Sequence, residues 1–374
     1  MAAREAGEEG SLRIEDNLRV ERLNTPHIYP VARFHQAPAW QKPIWHLQDH
    51  VDDRVGRVIA ARVATFAPDV VVIHYLQGFG YRTLEHLARC AVPTAYVLHD
   101  LGLACIRMSM FRNGRDCVGQ CAACRISGAF KNRWLANLAA AASLGFISPS
   151  QAMLDSLDRY VPIKQHPHAR LLNTKSYPVS GRPRPASDTL RLLYVGKLDT
   201  HKGIEVLFEA VDRLVGSLPI SLTVAGAGPL QEDLLAHYGH APWLRFLGFV
   251  SQDVLADEMA QADVLCVPSL WQENSPGVVI QALSNGLPVA ATDRGGLSEL
   301  VEDGRNGILL RRHDAGDWVE QLTHLARDRT LLERLQRQAA DDWRRFDQDT
   351  IGQETIAFLE GLIESNAARS AATA

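Results

Sequence analysis

The chain has 374 residues, of which 46% are hydrophobic and 22% are charged, an ordinary composition for a globular protein of about two domains. Its net charge of -4 gives no general attraction to nucleic acid, and no nucleic-acid motif is present. Residues 1–17 are acidic and polar, unlike a signal peptide, and the longest apolar run, 134–147, is too short to span a bilayer. We therefore expect a cytoplasmic protein, in which the six cysteines are thiols or metal ligands rather than disulfides.

The first half of the chain alternates apolar strands with turns and an amphipathic helix. Residues 69–75, 93–100 and 144–150 are predicted strands, and 81–90 is a predicted helix between the first two. Residues 11–24 also have the pattern of a strand. Strands that alternate with helices are typical of an α/β domain with a parallel sheet.

A segment rich in Pro, Ser and Gly, residues 176–189, is predicted to link two domains. Strands of the second half are predicted to begin at Leu190, Ile220, Leu244, Asp263 and Leu287. The sequence thus predicts an N-terminal domain over 1–180, a C-terminal domain over 190–345, and a C-terminal helix over 346–374 that packs back on the first domain. Two open α/β sheets place a ligand in the cleft between them, at the carboxyl ends of the strands.

Two loops of the second half have the chemistry of a phosphate-binding site. "VGKLDTHKG" places Lys197 and Lys202 five residues apart, just before a predicted helix. Two ammonium groups beside a helix N-terminus suit a diphosphate. "VAGAGP", residues 224–229, predicts a glycine turn that another backbone segment approaches closely, which is a weak signal when taken alone.

A carboxylate, Glu273, stands just ahead of a predicted helix in "WQENSPGVVIQAL". Ser275 has the chemistry of an N-cap, and Pro276 suits the first helical position. The N–H groups that such a helix start leaves free can meet polar ligand oxygens. The alternative interpretation involves no ligand. The two lysines are then solvated surface charges, and Glu273 is a charge that flanks a helix.

Together these segments resemble the family 4 retaining glycosyltransferases, glycosyl transferases group 1. That family shows a GK loop with a following KG, then GxGP, then two acids separated by seven residues, then PVxATDxGGxxE. The matching segments stand in the same order within residues 190–310: Gly196-Lys197, Lys202-Gly203, Gly226 to Pro229, Glu273, Pro288 to Asp293, and Gly295-Gly296 to Glu299. The resemblance implies a GT-B fold, an α/β architecture in which two Rossmann-like domains face a central cleft. The segment "WQENSP" is similar to the corresponding segment of a subgroup that acts on surface-polysaccharide or lipid-linked acceptors.

The resemblance also implies roles for individual residues. Lys197 and Lys202 would neutralise the donor diphosphate, and Glu273 would bind sugar hydroxyls or stabilise an oxocarbenium-like centre. His99 ends a strand where the family has a cleft histidine, so Glu273 and His99 are the expected catalytic residues. Gln281 stands where the second acid of the family holds the ribose diol. The expected donor-binding residues are Gly196, Lys197, Lys202, Gly228, Asn274, Ser275, Gly277, Val278, Gln281, Gly295 and Gly296.

Two departures from the family pattern are visible. The family begins with a strand and a glycine-rich turn, and residues 1–33 contain nothing similar. Either the start of the domain is absent or it has diverged. The second departure is Gln281, an amide in the place of an acid.

Four cysteines, Cys105, Cys117, Cys121 and Cys124, form the pattern C-x11-C-x3-C-x2-C. Four thiolates with one CxxC can close a tetrahedral zinc site, so the sequence leaves two interpretations open, a structural zinc or four reduced thiols. The segment 124–134 adds basic residues and a tryptophan. It is interpreted as a contact with an anionic membrane or, alternatively, as a solvated helix face.

The sequence therefore predicts a transferase that moves a hexose from a nucleoside diphosphate sugar to a saccharide or lipid-linked acceptor, with retention. Catalysis needs no cofactor in this interpretation, and any zinc is structural. The expected partners are the donor, the acceptor and the inner face of a membrane, with no nucleic acid. One alternative is a nucleotide-sugar-binding relative or partner subunit without catalysis. A nucleotide-sugar epimerase ranks lowest, since epimerases lack the combined motifs.

Overall fold

The first half of the molecule contains a parallel sheet with helices around it. The structure, a computed structural model, describes residues 2–3, 12–15, 18–25, 27–33, 37–173 and 176–373. The strands of this half are β1 (Ala2–Ala3), β2 (Leu12–Glu15), β3 (Leu18–Leu23), β4 (Val71–Ile73), β5 (Thr94–Val97), β6 (Phe111–Arg112), β7 (Arg115–Asp116), β8 (Leu144–Ser148) and β9 (His168–Arg170). Its helices are α1 (Gln41–Val51), α2 (Arg54–Phe66), α3 (Thr83–Cys90), α4 (Ala122–Ala141) and α5 (Gln151–Asp158).

The main sheet of this half has the strand order β4-β5-β8-β9, with every pair parallel. The three strands predicted within residues 69–150 are thus present as neighbours. Residues 11–24, expected as one strand, contain two instead, β2 and β3, which pair antiparallel outside this sheet. That expectation was wrong because it overlooked Asp16 and Asn17, residue types that favour turns. Residues 4–11, part of the segment without a glycine-rich turn, lie outside the described residues.

The second half forms a larger parallel sheet, again with helices around it. Its strands are β10 (Leu190–Val195), β11 (Ile220–Ala225), β12 (Leu244–Gly248), β13 (Val264–Val267), β14 (Val289–Thr292) and β15 (Gly307–Leu310). Its helices are α6 (Ile204–Leu214), α7 (Gln231–Tyr238), α8 (Gln252–Gln261), α9 (Gly277–Ser284), α10 (Leu297–Leu300), α11 (Ala315–Arg327), α12 (Arg329–Asp342) and α13 (Gln348–Thr373). Strand side chains such as Leu192, Val224 and Leu265 are buried on both faces of the sheet, as expected for parallel strands.

The strand order of this second sheet is β12-β11-β10-β13-β14-β15, with every pair parallel. Counted within the half, the order is 3-2-1-4-5-6, that of a doubly wound nucleotide-binding sheet. The strand order reverses between the neighbouring strands β10 and β13. Ligands of such sheets bind at that switch point, so the loops after β10 and β13 are the first place to search for a site.

The last helix, α13, returns to the first half. Leu362 is buried against Ala95, Val97 and Ile147 of strands β5 and β8. The Asn366 amide oxygen accepts a hydrogen bond from the backbone N–H of Ser143 at 2.8 Å. Among the helices that the structure describes, none is long and apolar enough to cross a membrane.

Candidate functional site

The loop after β10 carries both predicted phosphate-binding lysines. It closes with a 3-10 turn over residues 200–202 and with Gly203, which has a φ of +67°. A Cβ at Gly203 would lie 1.8 Å from the carbonyl oxygen of Pro268, so only glycine lets this loop lie against the loop after β13. The consequence is that Lys202 faces Glu273 across the switch point.

Lys202 and Glu273 form an ion pair in which the carboxylate is buried and the lysine is partly exposed. The Lys202 Nζ lies 2.6 Å from Glu273 Oε1, and the Ser269 hydroxyl donates to the same oxygen at 2.6 Å. Burial alone would raise the pKa of Glu273, which is only 6% exposed, but the Lys202 ammonium and these hydrogen bonds lower it overall. The ammonium also lies over the Trp271 ring, 4.8 Å from its centroid. Glu273 is therefore held as a carboxylate with its charge aimed at the cleft.

Lys197 is the more exposed of the two lysines. Its ammonium lies 2.9 Å from Asp199 Oδ2, and the other oxygen of Asp199 lies 3.0 Å from His201. The Tyr194 hydroxyl donates to the Lys197 carbonyl at 2.8 Å and fixes the backbone of the loop. Lys197 can thus exchange a solvated carboxylate partner for a ligand phosphate at low cost.

A cavity of about 360 Å³ opens at this switch point. Its lining includes residues from both loops, from the start of α9 and from α8: Gly196, Lys197, Lys202, Glu273, Gly277, Val278, Gln281 and Gln252. Tyr177, from the linker between the two sheets, closes one side. A cavity of this size, with few polar groups on an apolar wall, is typical of a small-molecule site.

Gln281 lies on α9 with its amide tied to α8. Its Nε2 donates to Gln252 Oε1 at 3.0 Å, and the side chain is buried at the wall of the cavity. The carbonyl oxygen of Gln281 is then the atom left to accept from a ligand. Helix α9 begins at Gly277 with Pro276 as N-cap, so the predicted cap at Ser275 was wrong by one position, a usual error at helix ends. The Ser275 hydroxyl is buried without a hydrogen-bond partner among the described residues.

Several predicted donor-binding glycines support the backbone rather than the cavity wall. A Cβ at Gly228 would lie 2.3 Å from the Leu198 carbonyl, so "VAGAGP" packs directly on the lysine loop. A Cβ at Gly296 would lie 1.8 Å from the Asn274 carbonyl. The Gly296 N–H donates to the Glu273 carbonyl at 2.7 Å, and Gly295 bridges to the same residue. These glycines position Glu273 through close backbone contacts.

Asn274 connects the two sheets across the cleft. Its Nδ2 donates to the carbonyls of Leu98 at 2.9 Å and His99 at 3.1 Å, at the end of β5. Its Oδ1 accepts from the Ser150 hydroxyl at 2.6 Å. The structure thus places Asn274, expected to bind the donor, in a contact between the halves that brings His99 and Glu273 to the same cleft.

Glu299, the acid of the GGxxE segment, also reaches the first half. Its carboxylate accepts from the backbone N–H groups of Gln151 at 2.9 Å and Ala152 at 2.8 Å, the first two residues of α5. Arg170 lies 2.7 Å from the same carboxylate. A carboxylate at a helix N-terminus satisfies free N–H groups and the helix dipole, so Glu299 is a cap supplied by the opposite half of the molecule.

His99 has a partner that the sequence analysis missed. His74, at the end of β4, places its Nδ1 2.9 Å from His99 Nε2, so one ring donates and the other accepts. Tyr75 stacks on the His99 ring with centroids 4.7 Å apart. Burial lowers the pKa of both imidazoles, and His74 lowers that of His99 further. The "IHY" at 73–75, which ends the predicted strand 69–75, was the signal that could have found this pair.

The turn that follows His99 is bound by a buried charged group that the sequence analysis also missed. Lys131 is 1% exposed, donates to the Gly102 carbonyl at 2.7 Å and lies over the Tyr81 ring, 3.9 Å from its centroid. Asp100 accepts from the Gly102 N–H at 2.6 Å. Burial raises the pKa of Asp100 to about 6 and lowers that of Lys131 to about 8. The turn after His99 is thus fixed by two buried ionisable groups.

The four cysteines of the predicted cluster come from one loop and the start of α4. Cys105 and Cys124 are buried, Cys117 is half-buried, and Cys121 is exposed at the N-cap of α4. Burial and, to a smaller extent, the neighbouring thiols of Cys105 and Cys121 raise the pKa of the Cys124 thiol to about 12. Over the described part of the chain, no group of three or more His, Cys, Asp or Glu stands as a metal site. The structural zinc stays a prediction.

Two parallel sheets facing one cleft, with a cavity at the switch point of the second, define a GT-B protein. Sucrose-phosphate synthase from Thermosynechococcus elongatus is similar over 96% of this chain and 87% of its own, with a TM-score of 0.70 and 18% identity. Anabaena HepE in complex with UDP is similar over 82% of each chain, with a TM-score of 0.62 and 21% identity. Both likenesses show the fold.

Sequence comparison relates the second half of the chain to a known family. Residues 189–328 match the model for glycosyl transferases group 1. A D-inositol 3-phosphate glycosyltransferase of Nocardioides is 30% identical over 188 residues, 45% of this chain and 41% of that protein. A phosphatidyl-myo-inositol mannosyltransferase of Mycobacterium leprae is 28% identical over 176 residues, 46% of this chain and 47% of that protein. The chain thus matches less than half the length of either relative.

Proposed function

We propose that the protein transfers a hexose from a nucleoside diphosphate sugar to a saccharide or lipid-linked acceptor, with retention of the anomeric configuration. The observation that carries this proposal is the Lys202–Glu273 pair at the wall of a cavity of about 360 Å³, at the switch point of a nucleotide-binding sheet. The pair places a cation that can bind the leaving diphosphate next to an anion that can bind the sugar.

The diphosphate would lie between the lysine loop and the start of α9. Lys202 uses one N–H on Glu273, which leaves two for phosphate oxygens, and Lys197 can leave Asp199 for the ligand. Gly277 and Val278, the first two residues of α9, line the same cavity, and their N–H groups would bind phosphate oxygens there. Lysines and helix start together stabilise the charge that develops on the leaving nucleotide, so no metal ion is required in this proposal.

The sugar would lie against Glu273. Lys202 and Ser269 both contact Oε1, and Oε2 would meet a sugar hydroxyl or the positive charge of an oxocarbenium-like centre. Among the described residues that line the cavity, Glu273 is the one carboxylate, which supports its role as the electrostatic partner of the reacting carbon. His99, held by His74 on the opposite side of the cleft, would contact the sugar or the incoming acceptor hydroxyl.

The ribose would meet Gln281. With its amide group held by Gln252, the side chain offers a carbonyl oxygen that can accept from the ribose hydroxyls. Tyr177 lies against Gly277, where a Cβ would come within 2.3 Å of the tyrosine hydroxyl, and it would border the nucleoside. The lipid-linked acceptor is supported by the name of the Mycobacterium leprae relative, a phosphatidyl-myo-inositol mannosyltransferase.

A two-step experiment tests the proposal. Thermal-shift screening of the whole chain against UDP-, GDP- and ADP-sugars should find one base that raises the melting temperature, and the same donor should then be hydrolysed slowly or transferred. NMR of the released or transferred sugar should show the anomer of the donor. Stabilisation without turnover for every donor would favour the binding-only relative, and an inverted anomer would remove the retaining mechanism.

A further inference from the structure

Two histidines follow neighbouring parallel strands and meet at the cleft. His74 comes directly after β4, and His99 lies two residues after the end of β5. The His74 Nδ1 is 2.9 Å from His99 Nε2, with the ring centroids 5.2 Å apart and the ring planes 24° from parallel. Because this separation is that of a hydrogen bond, one of the two nitrogens carries a proton and the other accepts the bond.

Both imidazoles are uncharged at about pH 7. Burial lowers the pKa of His74, and burial together with the charge of His74 lowers the pKa of His99. A carboxylate beside either ring would have the opposite effect. In the described part of the chain, the histidines within 4.0 Å of a carboxylate are others, namely His27, His86 and His201. The neighbouring Asp100 carboxylate accepts from a backbone N–H of its own turn instead. The hydrogen bond therefore joins two neutral rings, each with a single N–H.

The two protons of this pair can be arranged in two ways. In the first arrangement, His99 Nε2–H donates to His74 Nδ1, and both rings carry their proton on Nε2. In the second, His74 Nδ1–H donates to His99 Nε2, and both rings carry their proton on Nδ1. A neutral histidine side chain in water carries its proton more often on Nε2 than on Nδ1. The first arrangement therefore gives both rings their more stable tautomer at once.

The first arrangement decides what His99 can bind. Its Nε2 is occupied by His74, so Nδ1 is the ring nitrogen that remains for a ligand, and without a proton it can only accept. Further contacts hold the residue in place. Tyr75 stacks on the ring with centroids 4.7 Å apart, and the Nδ2 of Asn274, the residue after Glu273, donates to the His99 carbonyl at 3.1 Å. His99 thus offers a fixed lone pair rather than an N–H group.

We propose that His74 is a positioning residue that keeps the proton of His99 on Nε2, so that His99 Nδ1 accepts a hydrogen bond from a substrate hydroxyl. The bound group is then a hydroxyl of the donor sugar or of the acceptor. An ionised phosphate or a carbonyl oxygen has no hydrogen to donate and would not bind there. The role in transfer rests on the proposed function, whereas the tautomer of His99 is a property of the protein alone.

Ring-nitrogen NMR of the whole protein, with isotope-labelled histidine and no ligand, tests the tautomer at about pH 8, where both rings are neutral. His99, assigned from the signals lost in His99→Gln, should show an unprotonated Nδ1 and a protonated Nε2. His74→Leu removes the partner, so the His99 signals should move toward the average of two exchanging tautomers. His74→Asn offers a side-chain oxygen in place of Nδ1 and should keep the original signals. A protonated Nδ1 in the unmodified protein, or unchanged signals in His74→Leu, would overturn the inference.

Turnover of the donor found by thermal shift tests the role of His74. His74→Leu should lower kcat about fivefold, the effect of one hydrogen bond, and His74→Asn should recover most of the rate. Donor KM should stay unchanged, because Lys197, Lys202 and Gln281, which would hold the nucleotide, lie in the other half of the molecule. Slower donor hydrolysis in water would place the hydroxyl on the donor sugar. A loss confined to transfer onto a panel of free mono- and disaccharides would place it on the acceptor.

The matched control is His168→Leu. His168 is an exposed histidine at the start of β9 in the same sheet, and its Nδ1 donates to the His166 carbonyl at 2.9 Å. This variant should leave both the His99 signals and turnover unchanged, and equal melting temperatures would show that all variants are folded. Full turnover by His74→Leu, or an equal loss in His168→Leu, would overturn the positioning role. If the unmodified protein turned over no donor, the proposed function would fall, and the NMR signals would still decide the tautomer.

Discussion

Replacing Lys202 by methionine should weaken donor binding and also destabilise the folded protein. Lys202 is 24% exposed, whereas its partner Glu273 is 6% exposed and accepts otherwise from Ser269. Removal of one member of a fully buried pair costs about 3–5 kcal/mol, so this pair should cost about 2–3 kcal/mol because the lysine is partly solvated. Loss of one charge-assisted phosphate contact, about 1.5–3 kcal/mol, should weaken nucleotide binding at least about tenfold.

The pH dependence identifies the cause of this destabilisation. The pKa of Glu273 is lower in the folded protein than in the unfolded chain. The ion pair therefore stabilises the folded state fully at pH values above the ordinary carboxyl pKa, and this stabilisation is lost as the pH falls through the lowered pKa. Lys202→Met strands the carboxylate at pH 7, and the defect should shrink near about pH 5, where the carboxyl can accept a proton.

Urea denaturation at the two pH values measures the stability change, and titration calorimetry measures nucleotide affinity. Lys197→Met is the matched control: its ion pair with Asp199 is solvent-exposed, so stability should change by less than about 0.5 kcal/mol while donor affinity still falls. Adding Glu273→Gln to Lys202→Met should recover most of the lost stability. A pH-independent defect, or unchanged affinity in both lysine variants, would refute the assignment.

Three further predictions concern other parts of the molecule. Gln281→Glu should tighten donor binding a few-fold, as measured by calorimetry. Gln252 can rotate its amide so that its N–H group faces the new carboxylate, which then accepts hydrogen bonds from both ribose hydroxyls, a gain of about 1 kcal/mol. Weaker donor binding would contradict this role of Gln281. Burial raises the pKa of Asp100 to about 6, so ionisation of this group makes the fold less stable as the pH rises from about 4 to 6. In urea titrations, the stability of Asp100→Asn relative to the unmodified protein should therefore increase across that pH range. A stability difference that does not change with pH would exclude this cause. Elemental analysis should find near-stoichiometric zinc that is lost in Cys121→Ser/Cys124→Ser, whereas metal-free protein with four freely alkylated thiols would end the zinc interpretation.

The sequence predicted the parallel sheets because their strands are short apolar runs bounded by turn residues, as at Leu190 and Ile220. It also selected Lys197, Lys202 and Glu273, which the structure brings to one cavity, because all three lie in loops that follow strands at one edge of a sheet. Gln281, on α9 at the same cavity, was selected by its place in the family motif. Local sequence patterns were thus sufficient to predict the parallel sheets and these cavity residues.

Contacts between segments far apart in the chain could not be predicted in the same way. Asn274 and Glu299 belong to the matching motifs, yet their side chains bind the backbone of the first half, 147 to 176 residues away. In the sequence, His74 and Lys131 look like ordinary strand-end and helix residues. In the fold, His74 lies beside His99 and Lys131 binds the Gly102 carbonyl in the turn that follows His99. The hydrogen-bond partner of a polar side chain is decided by the tertiary fold, so it cannot be predicted from the local spacing of residues.

The central claim is that Glu273 serves the reacting sugar, and it is tested most directly by the turnover of Glu273→Gln. The amide is nearly isosteric and can still accept from Lys202 and Ser269, so donor affinity should change little. Single-turnover measurement with the donor identified by thermal shift should show a rate at least about a hundredfold lower than that of the unmodified protein, the scale of losing one electrostatic stabiliser. Full turnover by Glu273→Gln, with unchanged donor affinity, would contradict the account.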